Sequence, residues 1–146
     1  MSSPPLQEEL AEMCELRRQT IQWELPPHAK MEGDATLLRL MLRNLVENAH
    51  RYSPVGSQII VTLSTENQGV LLQVTDEGPG IKQNQAGELT QAFRRMDQRY
   101  GGSGLGLNIV IRIAQLHQGK LTLENRLDRT GLKAQCWLPA TTYSQK

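Results

Sequence analysis

The segment from residue 35 to residue 52, ATLLRLMLRNLVENAHRY, constrains this chain more than any other stretch, because its apolar residues recur at helical spacing and both of its ends are marked. Gly33 and Asp34 precede it, with Asp34 as the N-cap candidate, and Ser53, Pro54 and Gly56 stop it. An advance of about 100° per residue puts Leu38, Leu42, Leu45, Val46 and Ala49 on one face. Asn44, Asn48 and Arg51 form an adjoining stripe with Tyr52 beside them. That polar row lies at the rim of a core, where a ligand can be half buried. Two asparagines at this spacing could be no more than a solvated or mutually bonded pair. Asparagine is a poor helix former, however, so two of them inside a strong helix ask for a reason.

The remaining elements are read from period and punctuation. Residues 6–18 carry Leu6, Leu10, Met13 and Leu16 on one helical face among glutamates. Residues 20–25 alternate and end at Pro26 and Pro27, the pattern of a short edge strand. Residues 59–64 and 69–75 read as an antiparallel hairpin turning through 65–68. Residues 82–102 are polar and glycine-containing, with the aromatic-basic patch Phe93, Arg94, Arg95, and read as a mobile loop holding at most one short helix. Residues 105–118 form a second helix stopped by Gly119, and 120–125 and 132–138 are strands. Strands paired as hairpins among helices predict an α+β protein: a helical layer on a mostly antiparallel, mixed sheet, rather than a doubly wound parallel fold.

Composition closes several routes. A chain of 146 residues is the size of one domain with a core, and a formal charge of +1 gives no ground for nucleic-acid binding or a polybasic membrane surface. Cys14 and Cys136 read as reduced thiols of a cytosolic domain. No apolar run reaches the roughly 18 to 20 residues of a membrane span, so the chain itself is expected to be soluble.

Three elements carry chemistry. In the first helix, the amide oxygen of an asparagine is a hard ligand suited to Mg²⁺, and Arg51, one turn on, can reach a phosphate. At the end of a strand stands Asp76-Glu77-Gly78-Pro79-Gly80, which by itself is an ordinary turn. Its functional reading is a carboxylate accepting a hydrogen bond from an exocyclic amine, beside glycines that let a flat base approach; adenine fits that description. The third is GGSGLGLNIV, residues 101–110, a glycine-rich entry into a helix that gathers backbone N–H groups toward one point and suits phosphates. No G-K-S/T follows for a P-loop, and no strand feeds this loop with an acid downstream for a dinucleotide fold.

Taken in order, N-x-x-x-N-A-x-R/K-Y, then D-x-G-x-G, then G-x-G-L-G-L after a variable loop resembles the N, G1 and G2 boxes of the GHKL ATPase superfamily, and within it the catalytic domain of sensor histidine kinases. The resemblance covers roughly residues 17–139. It implies the Bergerat ATP-binding fold, a two-layer α/β sandwich, with ATP and Mg²⁺ as cofactors. By that resemblance Asn48 is the Mg²⁺ ligand, Asn44 neighbours metal and phosphates, and Arg51 and Tyr52 complete the first box. Asp76 reads adenine, with Gly78, Gly80 and Ile81 along the base. Gly102, Ser103, Gly104, Leu105, Gly106 and Leu107 close the phosphate end, residues 82–101 form the ATP lid, and Arg95 is the catalytic arginine that approaches the γ-phosphate.

The chain departs from the family's pattern in places. The phenylalanine box survives only as LTQAFRRMD, with Leu89 and Arg94 where phenylalanine and tyrosine are common, and Arg51 replaces the more usual lysine. Hydrolytic relatives carry a glutamate four residues before the metal asparagine; here that position is Asn44, while Glu47 is offset by most of a turn and reads as an exposed helix residue. Transfer to a protein nucleophile therefore fits better than hydrolysis. None of His28, His50 and His117 stands in a phosphoacceptor motif, and His50 reads as a helix-surface residue.

The resemblance thus implies a separate dimerisation domain bearing the acceptor histidine, and a response regulator as the onward partner. Residues 1–16 are then the remnant of the connection to the dimerisation helices, 17–140 the catalytic domain and 141–146 a tail. The fragment would be a cytoplasmic monomer, and the parent a homodimer in the bacterial inner membrane. A GHKL ATPase and an anti-sigma serine kinase are the alternatives.

Overall fold

A computed structural model describes residues 6–24, 35–66, 68–80 and 106–139, and the side chains of 35–38 fall outside that set. The elements run α1 (Leu6–Glu15), β1 (Thr20–Glu24), α2 (Ala35–Tyr52), β2 (Gln58–Glu66), β3 (Gly69–Thr75), α3 (Gly106–Leu116), β4 (Lys120–Asn125) and β5 (Leu132–Pro139). Among the described residues the strands make one sheet, ordered β1-β2-β3-β5-β4. All neighbours are antiparallel except β1, which runs parallel to β2 and reaches it through α2.

Period-two patterning gives the sheet two unlike faces. Val70, Leu72 and Val74 of β3 pair with Leu138, Cys136 and Ala134 of β5, and all six are buried. The residues between them make the other face, where Gln73 Nε2 donates to Gln135 Oε1 at 2.7 Å. The helices cover the apolar face: Met41, Leu42, Leu45, Val46 and Ala49 of α2 and Leu107, Val110, Ile113 and Ala114 of α3 join the strands in one core. This is the expected α+β, two-layer architecture. β1 buries no residue fully, as suits an edge strand.

Helix ends differ from the sequence reading in two places. The first helix stops at Glu15, and its buried row is Leu6, Leu10 and Cys14, while Leu16, placed on the apolar face from sequence, is 84% exposed. The cause is a Schellman cap: Arg18 takes φ 55°, its N–H donates to Glu15 O at 2.9 Å, and Gln19 N–H donates to Cys14 O at 3.0 Å. α3 ends the same way, but the left-handed residue is Gln118 (φ 60°) and not Gly119. Gly119 is needed for space, since a β-carbon there would collide with the carbonyl of Trp137. Both cysteines are free and buried; burial pushes Cys14 up to about 11 and Cys136 up to about 12, so neither forms a thiolate readily.

The turn after α1 also finishes α2. Arg17 donates from Nη1 to Arg51 O (3.2 Å) and from Nη2 to Ser53 O (2.9 Å). Gln19 Nε2 donates to His50 O (3.1 Å) and Ser53 O (3.0 Å). These bonds satisfy carbonyls that a helix C-terminus leaves without intrahelical partners. His50 is accordingly half-buried rather than a plain surface residue, with Nδ1 2.7 Å from Gln19 Oε1. Burial, then the charges of Arg17 and Arg51, hold its pKa below the ordinary value.

Candidate functional site

α2 carries the asparagine stripe where the spacing placed it, at the rim of the core: Asn44 is 9% exposed and Asn48 6%. Asn44 Nδ2 donates to Leu40 O at 2.8 Å, one turn back, so its amide nitrogen is satisfied within the helix. Asn48 Oδ1 accepts from Arg51 Nη1 at 3.2 Å. Asn48 Nδ2 is buried and has no partner among the described residues, an expensive state for an amide. Glu47, beside them, is half-buried. Tyr52 and Leu107, both expected near nucleotide, lie in the core cluster.

The start of α3 lies directly over this pair. A β-carbon on Gly106 would come 3.1 Å from Asn44 Oδ1 and 3.6 Å from Asn48 Oδ1, so a glycine lets the helix approach the two amides. The first and third motifs, far apart in sequence, thus meet at one place. Ile81, Arg95, Gly102, Ser103, Gly104 and Leu105, with the whole 82–101 segment and the cap candidate Asp34, lie outside the described residues.

Asp76 stands where β3 ends, 4% exposed. Its N–H donates to Leu132 O at 2.9 Å, and its Oδ1 accepts from Leu132 N–H (3.1 Å) and Gly78 N–H (2.8 Å). The side chain therefore continues the β3–β5 ladder and closes an Asx turn. Burial pushes its pKa up to about 6, against the lowering pull of those two N–H donors and of Arg126. Gly78 packs on the last turn of α2, where a β-carbon would lie 3.1 Å from Tyr52 O. Gly80 has φ +74° and faces Asn125 Oδ1.

Sequence reading missed the loop between β4 and β5. Arg126 Nη1 donates to Asp76 O at 3.1 Å, and Arg129 Nη1 bonds Glu77 Oε2 at 3.0 Å. The loop and Pro79 border an open polar concavity of about 460 Å³. Nothing in ENRLDRTG marks these roles; only the β3–β5 register brings Leu132 opposite Asp76.

No three His, Cys, Asp or Glu side chains among the described residues are grouped to hold a metal. The amide oxygens of the stripe are hard ligands of a kind that, together with water and phosphate oxygens, suits Mg²⁺. The unpaired end of the Asn48 amide fits such a role, since turning the amide over would present its oxygen at that point.

Comparison with known proteins shows the family and the fold. Residues 33–142 match the family of histidine kinase-, DNA gyrase B-, and HSP90-like ATPases. Sensor protein BasS of Escherichia coli K12 is 52% identical over 142 residues, covering 95% of this chain. Sensor protein kinase PmrB of Pseudomonas aeruginosa is 38% identical over 136 residues, covering 88%. The chain spans only 38% and 28% of the lengths of these two relatives. Full-length ShkA, solved in complex with AMPPNP, superposes with a TM-score of 0.76 at 25% identity, covering 92% of this chain and 28% of that one. On the match over residues 33–142 and the identity to these sensor proteins, the chain belongs to the histidine kinase-, DNA gyrase B- and HSP90-like ATPases, and is an ATP-binding catalytic domain of the kind that sensor histidine kinases carry.

Proposed function

We propose that this domain holds Mg-ATP for transfer of the γ-phosphoryl group to a histidine on a separate dimerisation domain of its parent, which passes the phosphoryl group to a response regulator. The parent is a homodimer of the bacterial inner membrane with this domain, monomeric by itself, on the cytoplasmic side. Among the described residues no helix is long and apolar enough to cross a membrane.

The observation that carries the reading is the buried amide of Asn48, half unpaired, under the start of α3. Asn48 would hold Mg²⁺ through its oxygen, which releases Arg51 toward a phosphate. Bound there, the ion would neutralise charge on the β- and γ-phosphates. Asp76 would accept the adenine amine through Oδ2, since the two backbone donors fall on Oδ1. Gly78, Gly80 and Ile81 would line the base and Tyr52 its edge. The backbone of Gly102, Ser103, Gly104, Leu105, Gly106 and Leu107 would receive the phosphates. Arg95 would act on the transferring group. The position of a water-activating glutamate is held by Asn44, whose nitrogen is committed to Leu40, so transfer is favoured over hydrolysis.

The test is labelled ATP with the chain and a separately prepared dimerisation domain carrying the family's histidine. Acid-labile label on that domain, lowered in rate by Arg95→Ala more than ATP affinity is lowered, is expected. Rapid phosphate release by the chain alone would move it to the hydrolase branch, and acid-stable label on one of its serines to the serine-kinase branch. Asn48→Ala should weaken ATP binding with Mg²⁺ present and have little effect in chelator.

A further inference from the structure

We propose that Arg126, braced by Asp128, is the positioning residue that holds Asp76 in the orientation and ionised form needed to read the base; this rests on the assignment of Asp76 to adenine above. The Arg126 side chain is only 10% exposed, and its donors are divided between two partners. Nε and Nη2 fork onto Asp128 Oδ1 and Oδ2 at 3.0 and 2.9 Å, and Nη1 donates to Asp76 O at 3.1 Å. The fork fixes the plane of the guanidinium, and that plane aims the remaining donor at the Asp76 main chain. Gly131 makes the approach possible, because a β-carbon there would strike both Asp76 O and Arg126 Cδ.

Asp76 is thereby held at four points. Its carbonyl is held by Arg126, its N–H by Leu132 O, and its Oδ1 by the N–H groups of Leu132 and Gly78. Oδ2 is the oxygen left to meet a ligand. A proton arriving on the carboxyl would go to Oδ2 and turn an acceptor into a donor facing the amine of the base. Burial favours that proton, and Arg126 opposes it. The other groups facing this turn are Glu77, which works against ionisation and is itself held by Arg129 and Gln58 N–H, and on α2 Tyr52 with Arg51 next to it in the chain. Arg126 is therefore the cation of the β4–β5 loop that touches Asp76 itself.

The test follows the Asp76 carboxyl by carbon-13 NMR across pH in this chain, with ADP affinity by calorimetry, in wild type, Arg126→Ala, Arg126→Lys and Asp128→Ala. Arg126→Ala should move the Asp76 midpoint to higher pH and weaken ADP on the order of fivefold at pH 6, but less than about twofold at pH 8.5. Arg126→Lys should restore part of both effects. Asp128→Ala, which unlocks the guanidinium plane and lets Nη1 leave Asp76 O, should give a smaller shift in the same direction, the loosened cation outweighing the lost surface carboxylate, and keeps the test alive if Arg126→Ala does not fold. A midpoint unchanged in the folded Arg126 variants, or an ADP loss equal at both pH values, would overturn the proposal and leave Arg126 a loop-closing residue. ADP affinity unchanged in Asp76→Asn would instead remove the base reading, and this role with it.

Discussion

A methyl group added to Gly106 would lie 3.1 Å from the side-chain oxygen of Asn44, so the first residue of α3 and the asparagine stripe of α2 are fitted to one another without room to spare. Gly106 is the first residue of α3, where the helix-interior preference for alanine is only partly felt and the tight contact opposes it, so Gly106→Ala should change thermal stability by less than about 1 kcal/mol. The same methyl should displace the amides from the phosphate end and weaken Mg-ATP on the order of tenfold, about 1.4 kcal/mol. Calorimetry paired with a thermal melt separates the two effects. A variant that loses stability and keeps affinity would show the close approach to be packing alone.

Asp76 should trade stability for binding. Its folded pKa of about 6 lies above the ordinary 3.8, so the folded state holds the proton more tightly than the unfolded one. The linkage then runs in one direction: stability is greatest below the ordinary value and falls as pH rises from there through about 6. Asp76→Asn, neutral and still able to accept from Gly78 and Leu132, should stabilise the domain at pH 7.5 by about 1 to 3 kcal/mol. It should also weaken ATP by about 1 to 3 kcal/mol. Denaturant unfolding at pH 5 and 7.5 checks the first claim, since the advantage of the variant should shrink at the lower pH.

His50 runs the other way. Its folded pKa is held below 6.5, so the stability linked to its neutral form is fully present above that value and is lost as pH falls from there through the depressed one. Arg17→Ala removes one of the two neighbouring cations and should raise the His50 titration midpoint, read by proton NMR. Loss of its bonds to Arg51 O and Ser53 O should cost about 1 to 3 kcal/mol in denaturant unfolding.

At the end of α3, two adjacent residues should respond oppositely to exchanging a side chain. Gln118→Gly relieves a left-handed backbone and should stabilise by up to about 1 kcal/mol. Gly119→Ala drives a methyl into the Trp137 carbonyl and should destabilise by more than about 2 kcal/mol. Melting temperatures of the two variants would decide it, and a harmless Gly119→Ala would contradict the close packing of this turn against β5.

Elements whose cause is local were legible from sequence. α2 runs from Ala35 to Tyr52 because its period and stop signals are strong, and β3, β4 and the start of β5 fall where alternation and turn residues put them. Cys14 replacing Leu16 in the buried row was not legible, because the Schellman turn at Arg18 ends the helix before Leu16 can face the core. The candidate site divides the same way. Asn44, Asn48, Asp76 and Gly106 could be picked out by residue type and order, but Arg126 could not. Its role arises only from the pairing of β3 with β5, which sets Leu132 and the loop before it against Asp76.

The closure of α2 by Arg17 and Gln19 has a consequence for how this protein can change over generations. Apart from the His50 ring, the partners these two side chains grip are the main-chain oxygens of residues 50, 51, 53 and 54. Main-chain oxygens are the same whatever side chain accompanies them. Substitution at Arg51 or Pro54 can therefore be accepted without loosening the grip, whereas a change at position 17 or 19 disturbs several oxygens together. The shape of this helix end is thus held independently of the side chains it carries, and that constraint lies on two residues outside the helix.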